Sequence, residues 1–282
     1  MDATDFGLVD VPAGSVDIGT TRGGWMHGKD RPAFRAELPS FRIMSNPLTP
    51  TLATKVLGRE MDELEGWATG WDDATLGELR EGLTELRSPE GMEWRLPSPA
   101  EWERAIAFGS ISMPHGFEEI LEGHPHPDHR GARFDGAPRW VEHDRSMMTR
   151  YREGRKSHPS RSDVFIAQPI PVFAPQGTAI LRLVLTPTRP EDAPIVPRSA
   201  DLRRRILEEV LIVTLVGIVP SFLIPVMNGA VGYLAEGWPN LVFGGVLIGV
   251  ATGTLWRPRT RRWILGEDGA EHASDRSIPT TE

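Results

Sequence analysis

The residues best suited to chemistry lie together in Gly123-His124-Pro125-His126-Pro127-Asp128-His129-Arg130-Gly131, which holds three of the chain's eight histidines and a carboxylate. Imidazole nitrogens and carboxylate oxygens are zinc ligands, and a zinc ion held by three or four of them lowers the pKa of its bound water to about 7, supplying hydroxide at neutral pH. His124, His126, Asp128 and His129 are therefore the candidate metal ligands, and zinc is the cofactor such a set would take. The same residues also describe a stiff polar loop. Pro125 and Pro127 bias His124 and His126 toward extended backbone, where alternate side chains can face one way, and neutral imidazoles need no metal. The elements that deliver the stretch decide between these readings.

The chain has 282 residues, 39% hydrophobic and 25% charged, enough for one sizeable domain with residues left over. Its 25 prolines and 29 glycines are spread through the sequence, which predicts an irregular, loop-rich α+β fold rather than a helical bundle. There is no cysteine, so disulfides, thiolate ligands and thiol nucleophiles are excluded together. A net charge of -8 gives no footprint for nucleic acid.

Two apolar runs near the end, residues 206–228 and 238–256, approach the length of about 20 residues that a bilayer crossing needs. We expect a transmembrane hairpin over 205–257, with the lipid bilayer as partner. Arg198 and Arg203 to Arg205 precede it, Arg257, Arg259, Arg261 and Arg262 follow it, and the loop between has no basic residue. This asymmetry predicts that the N-terminal domain and the C-terminal tail are both cytoplasmic. No secretory leader is recognisable at the start. Pro220 and Pro225 predict a kink in the first span. Gly245, Gly249 and Gly253 recur every fourth residue and make a smooth stripe for close helix approach, either to the first span or to a second copy in a homo-oligomer. Ahead of the hairpin, 186–204 reads as a proline-rich linker. Behind it, 258–282 is basic and then acidic, with disorder expected from about Gly266.

That leaves 1–185 for the soluble domain. Leu8 to Val11, Val16 to Ile18, Phe34 to Leu38 and Phe41 to Met44 are short strand-like runs split by proline turns, and Ala179 to Leu185 is another. Thr49-Pro50 opens a helix that stops at Gly58. Asp72 opens a second, with Leu76, Leu79, Leu83 and Leu86 on one face. Ser98, Pro99 and Glu101 form a capping box for a third, stopped at Gly109.

Val9 to Gly19 (VDVPAGSVDIG), Asp30-Arg31-Pro32 with Phe34, Pro47-Leu48-Thr49, Gly70-Trp71-Asp72-Asp73-Ala74 and Trp94 to Ala105 (WRLPSPAEWERA) follow one another over about one hundred residues. In order and spacing they resemble the motifs of the formylglycine-generating, or sulfatase-modifying factor, family. The resemblance implies that family's fold, which is related to C-type lectins. Further on, Arg139-Trp140-Val141-Glu142 stands where the family has N-V-W-E-W, and Leu181-Arg182-Leu183-Val184 resembles its closing G-F-R-L-V. The family's catalytic members bind copper through two cysteines, which this chain lacks, and neither Ser nor Ala at such positions supplies a thiolate donor for a soft metal. The implied protein is a pseudoenzyme that binds rather than oxidises, with no cofactor expected and Trp140, Arg139 and Glu142 as candidate ligand-binding residues. An enzyme of the same superfamily with altered, histidine- or metal-dependent chemistry is the alternative.

The pattern His124-x-His126-x-Asp128-His129 also resembles that of metallo-β-lactamase-like hydrolases. There the motif ends an apolar strand. Here Gly116 to Glu122 is charge-rich with helical character, and only His143 and His158 follow before the hairpin. A structural subunit working through the glycine-striped hairpin is a further alternative. A basic stretch from Arg133 to Lys156 either meets anionic headgroups or is a solvated face balanced by Glu142, Asp144 and Glu153.

Overall fold

A computed structural model describes residues 6–22, 25–141, 146–200, 202–255, 259–267 and 269–272 of the chain. They fall into two compact units. The first comprises residues up to Ile18, Arg35–His126 and Ala132–Ile195; the second comprises Gly19–Phe34, Pro127–Gly131 and the chain from Val196 onward.

The first unit is α+β and rich in loops. One antiparallel sheet has the order β1 (Leu8–Val11), β4 (Phe41–Met44), β12 (Val184–Pro187), β7 (Met92–Arg95). β2 (Gly14–Ile18) and β3 (Phe34–Leu38) are the other two runs expected from the proline-split pattern. α1 (Pro50–Leu57) is capped by the Thr49 hydroxyl and closed at Gly58 in the left-handed region. α2 (Asp73–Thr84) is capped by Asp72 and buries Leu76, Leu79 and Leu83 in the main core, beside Leu48 and Trp71. α3 (Pro99–Ala107) has the full capping box, with the Ser98 hydroxyl taking the Glu101 N–H and the Glu101 carboxylate taking the Ser98 N–H. Trp102 in its middle is fully buried, edge-on to Phe165.

Glu101 does more than cap. It accepts two hydrogen bonds from Arg95 and one each from the Thr186 hydroxyl and Arg189. Burial pushes its carboxyl pKa up, but Arg95 outweighs burial, and the result lies below the usual carboxylate range. These bonds hold the chain past Leu185 against the domain, so the first unit runs on to Ile195 and the linker expected from residue 186 starts later. The sequence pattern misses this because Thr186 and Arg189 are held by a partner 85 or more residues away.

A second sheet has the order β10 (Arg161–Pro171), β9 (Tyr151–His158), β8 (Glu118–Ile120), β11 (Ala179–Ile180), with β11 parallel to β8. The helical character expected for Gly116 to Glu122 is corrected here. Strand alternation sends Glu118 to Lys156 at the surface and Glu119 inward to Arg182, so each charge finds a partner only as a strand. A two-stranded hairpin, β5 (Asp62–Leu64) and β6 (Trp67–Thr69), stands apart from both sheets.

In the second unit, α4 (Leu202–Ile212), a π-helical turn (Val213–Ile218) and α5 (Val219–Met227) make one continuous rod, followed by α6 (Val231–Leu255). Ile206–Met227 and Val231–Gly253, 22 and 23 residues, are long and apolar enough to cross a membrane. Leu234 and Trp238 belong to the second span, which therefore starts earlier than residue 238. The π turn ends just before Pro220, whose missing N–H cannot serve the carbonyl four residues back; the Val219 N–H reaches Thr214 O instead. The two helices meet through glycine. A Cβ on Gly245 would lie 2.7 Å from Ile218 Cα, and one on Gly249 would lie 2.6 Å from Val213 Cα. The Ser221 hydroxyl sits 2.7 Å from Ile218 O and 2.8 Å from Leu241 O. The partner of Gly245 and Gly249 is thus the first span of the same chain.

The disorder expected from about Gly266 is corrected as far as His272; residues 273–282, the rest of that expectation, lie outside the described residues. β13 (Trp263–Gly266) and β14 (Gly269–His272) form an antiparallel hairpin, and Trp263 pairs in parallel with Phe34.

Candidate functional site

The site begins at the inner end of β8. Leu121 N–H donates to Glu153 O, Glu153 N–H to Gly123 O, Glu122 N–H to Pro97 O and His124 N–H to Arg139 O. Gly123 has φ +106°, and a Cβ there would sit 2.7 Å from Arg139 O, so only glycine lets the two backbones approach this closely. That approach sets Trp140 against His124, ring centroids 4.8 Å apart and nearly perpendicular. The Val141 N–H donates to His124 Nδ1 at 3.0 Å, which fixes the imidazole as the tautomer with its proton on Nε2.

Two guanidiniums complete the surroundings of the indole. Arg80 lies over it at 4.5 Å and Arg152 at 5.6 Å, contacts worth about 0.5–2 kcal/mol each according to how dry they are. Arg80 also holds the buried Glu122 at 2.8 Å, and Arg152 holds Asp73 at 2.6 Å. Asp73 and Arg80 lie two turns apart on α2, hence on one face. His124 is pushed below the usual histidine pKa by burial first and then by Arg152 and Arg80, with Asp73 pulling the other way. It is neutral at pH 7, as the bond from Val141 requires.

The indole remains 40% exposed. Met147 to Arg150 form one 3₁₀ turn in which the Ser146 hydroxyl caps Met148 N–H. Arg152 donates to Thr149 O in that turn. Phe173 packs edge-on to Tyr151 and carries Arg150 over its ring at 5.0 Å. Met147, Met148 and Phe173 are 66%, 44% and 55% exposed. Trp140, with Arg80 and Arg152 over its ring, and Phe173, with Arg150 over its ring, are thus exposed aromatic residues carrying guanidiniums, and Met147 and Met148 are exposed on the turn that ends at Arg150.

Of the residues expected from sequence to bind a ligand, Trp140 is central. Arg139 contributes through its backbone, accepting from His124, and its side chain is half-buried. Glu142 lies outside the described residues, as do His143 and Arg145. The four candidate metal ligands divide between the two units, His124 and His126 in the first, Asp128 and His129 in the second. His124 supports the indole, and His126 is half-buried. Asp128 pairs with Arg130, which also donates to Ala200 O. His129 Nδ1 is 3.3 Å from Pro32 O, and its ring meets the edge of Phe34. Among the described residues no group of three or more His, Asp or Glu is placed to hold a metal ion.

Arg80, Glu122, Met147, Met148 and Phe173 were not singled out in the sequence. The spacing of Asp73 and Arg80 was a readable signal; nothing local marks the others. The basic stretch is largely internal to the fold, with Arg133 on Asp135, Arg152 on Asp73, Arg155 on Glu103 and Lys156 on Glu118. Chemically the face offers recognition: a partly exposed indole and phenyl ring, adaptable thioethers, and guanidiniums held flat on aromatic rings.

No protein-family model matches the sequence, and a search of curated proteins finds no match. Solved structures similar to it include the following two. PvdO from Pseudomonas aeruginosa is 16% identical with a TM-score of 0.46, over 64% of this chain and 94% of its own. Treponema denticola variable protein 1 is 13% identical with a TM-score of 0.38, over 64% of this chain and 95% of its own.

Proposed function

We propose that this is a membrane-anchored, non-catalytic binding protein in which a domain of the formylglycine-generating type, without its copper-binding cysteines, presents the Trp140 face to a partner. The observation that carries the reading is the exposure of Trp140, Met147, Met148 and Phe173, with Arg80 and Arg152 over the indole and Arg150 over the phenyl ring, on a unit with a filled core. Exposed apolar patches on stable domains mark interaction sites. The motif residues support a family scaffold: Trp71 and Trp102 are core, and Arg182 anchors the second sheet. The hairpin of Ile206–Met227 and Val231–Gly253 supplies the anchor, and the arginines on both sides of it favour cytoplasmic ends.

A photo-crosslinking residue in place of Phe173 in the full-length protein, expressed in cells, tests the binding face. Adducts are expected there and not from the same probe at the exposed Glu90, and Trp140→Ala should reduce them. Equal or absent adducts at both positions would overturn the reading. Introduced cysteines in this cysteine-free chain test the topology: Glu90→Cys should react with an impermeant maleimide only after the cytoplasmic side is opened.

A further inference from the structure

We infer that the arginines where the helical hairpin enters the bilayer bind the phosphates of anionic phospholipids, so that the protein gathers a collar of acidic lipid in the leaflet they face; the inference rests on reading the hairpin as a membrane anchor. The close approaches of Val213 to Gly249, Ile218 to Gly245 and Ser221 to Leu241 fix an antiparallel register. Carried outward along α4 and α6, it sets Leu207 level with Leu255, the last residue of α6. Arg203 stands one helical turn outside Leu207, and Arg259 follows shortly after Leu255. The two arginine groups therefore leave the hairpin at one level. Arg203 also faces outward: Ile206 and Leu207 share its side of α4 and are both exposed, so it stands over the lipid that covers them. Arg259 and Arg261 are exposed on either side of the buried Thr260. That segment is fastened, with Thr260 N–H donating to Thr21 O and Trp263 N–H to Ala33 O. Trp263 and Leu265 then lie on one face of β13, Leu265 exposed, and a tryptophan suits the polar boundary of a leaflet. Arg198 is exposed in the turn that leads into α4, where Arg130 holds Ala200 O.

These guanidiniums are unspent. Among the described residues none of Arg198, Arg203, Arg259 and Arg261 has an ion pair or a side-chain hydrogen bond, whereas Arg130, Arg133, Arg152 and Arg155 each hold a carboxylate. With Arg204, Arg205 and Arg257 in the same stretches of sequence, they match the cluster of about four to eight basic residues beside a span that headgroup recognition draws on. A guanidinium takes a phosphate through two parallel hydrogen bonds, and an arginine stem lies along apolar surface while its head stays at the boundary. A leaflet is a plane, so the arginines need a common level and not a common pocket. The chain as a whole stands at -8, which confines attraction for an anionic leaflet to this collar.

The test holds the full-length protein on an affinity resin in mild detergent with equal amounts of phosphatidylcholine and phosphatidylglycerol; after washing, the retained lipids are counted by mass spectrometry. Phosphatidylglycerol is expected in several-fold excess. Raising salt from about 0.05 M to about 0.5 M should remove that excess and leave phosphatidylcholine unchanged, an arm that needs no variant. Arg203→Gln/Arg259→Gln/Arg261→Gln should cut phosphatidylglycerol about tenfold, whereas Arg42→Gln/Arg59→Gln/Arg87→Gln, which removes the same charge from the first unit, should not. Equal retention of the two lipids by the parent overturns the inference, and so does an equal loss in both triple variants. Millimolar glycerol 3-phosphate in the wash separates the two sources of phosphate: the lipid should stay, and its displacement would mean a site for soluble anions and overturn the collar. Alkaline extraction of membranes keeps the underlying reading apart. A chain that stays in the membrane without excess phosphatidylglycerol leaves the anchor standing and ends the lipid inference; a chain released into solution ends both.

Discussion

Arg182→Met should destabilise the first unit more than any other single change in the segment joining β11 to β12. Arg182 has no exposed surface and neither does Glu119. Its guanidinium donates to Glu119 at 2.5 and 3.1 Å, to Met44 O at 3.3 Å, to Ser45 O at 3.1 Å and to Ser112 O at 2.9 Å. Five hydrogen bonds thereby tie β4, the loop before β8, and β8 itself to one side chain. Removing the cation strands a buried carboxylate, which costs about 3–5 kcal/mol. The three carbonyls lose a charged donor as well, at roughly 1 kcal/mol each where water cannot enter. The sum is comparable to the whole stability of a domain, about 5–15 kcal/mol. Arg182→Met/Glu119→Leu should recover on the order of 2 kcal/mol or more of the loss, because no charge is then left unpaired. Arg182→Lys keeps the charge but cannot span three elements with one ammonium, and should fall between. The assay is tryptophan fluorescence of the full-length protein in detergent, followed through urea and checked by pulse proteolysis. The reasoning is refuted if Arg182→Met is as stable as the parent, or if the double variant is no more stable than the single.

Three further outcomes follow from the packing. His124 has a folded-state pKa below its usual value of 6.5, so the unfolded chain binds its proton more readily. The contribution of neutral His124 is full above pH about 6.5 and is lost as pH falls from there toward the folded pKa; the thermal midpoint of the parent, but not of His124→Asn, should drop between pH 7 and 5 through this term, and parallel curves would refute it. Glu101, with its pKa below the usual carboxylate range, contributes stability above pH about 4.5 that is lost below it; Glu101→Gln, which leaves Arg95 buried without its counter-charge, should cost about 3–5 kcal/mol at pH 7, and a loss under 1 kcal/mol would show the network to be dispensable. Gly249→Val overpacks the helix contact at Val213 by about 1–3 kcal/mol; a disulfide between Ser221→Cys and Leu241→Cys should then form more slowly than without it, and equal rates would count against glycine packing.

What the sequence disclosed was local chemistry. Thr49, Asp72 and the Ser98–Glu101 box are caps whose partners lie within three residues, and the leucine stripe of α2 needs only helical period to be seen. The two apolar runs needed only length. What it concealed was long-range pairing. Glu119 looks like one of several acids in a helix-prone run until Arg182, 63 residues on, is known to face it. Thr186 and Arg189 read as linker because Glu101, their partner, lies 85 and more residues earlier. Trp140 was singled out from its motif position, whereas Phe173 comes beside Tyr151 and Arg150 only because β9 and β10 pair Tyr151 with Pro171.

The histidine run shows why a pattern of ligands is not a site. A metal ligand must present a lone pair, and His124 gives its Nδ1 lone pair to the Val141 N–H while carrying its proton on Nε2. The chain bends at Pro127–His129, and Asp128 and His129 bind Arg130 and the 31–34 segment of the second unit. The His129 N–H donates to Arg31 O and the Gly131 N–H to Val196 O, just ahead of the first span. His124 and His129, five apart in sequence, thus serve two units: the first orients the indole of the proposed binding face, the second packs on the 31–34 segment. Exchanging Pro125 and Pro127 for glycine would separate the two roles, since the backbone bonds at His124 and His129 need the observed geometry at some entropic cost once the prolines are gone, about 0.4–1 kcal/mol for each. Loss of cross-linking at position 173 with hairpin packing intact would locate the effect at the indole; unchanged cross-linking would refute it.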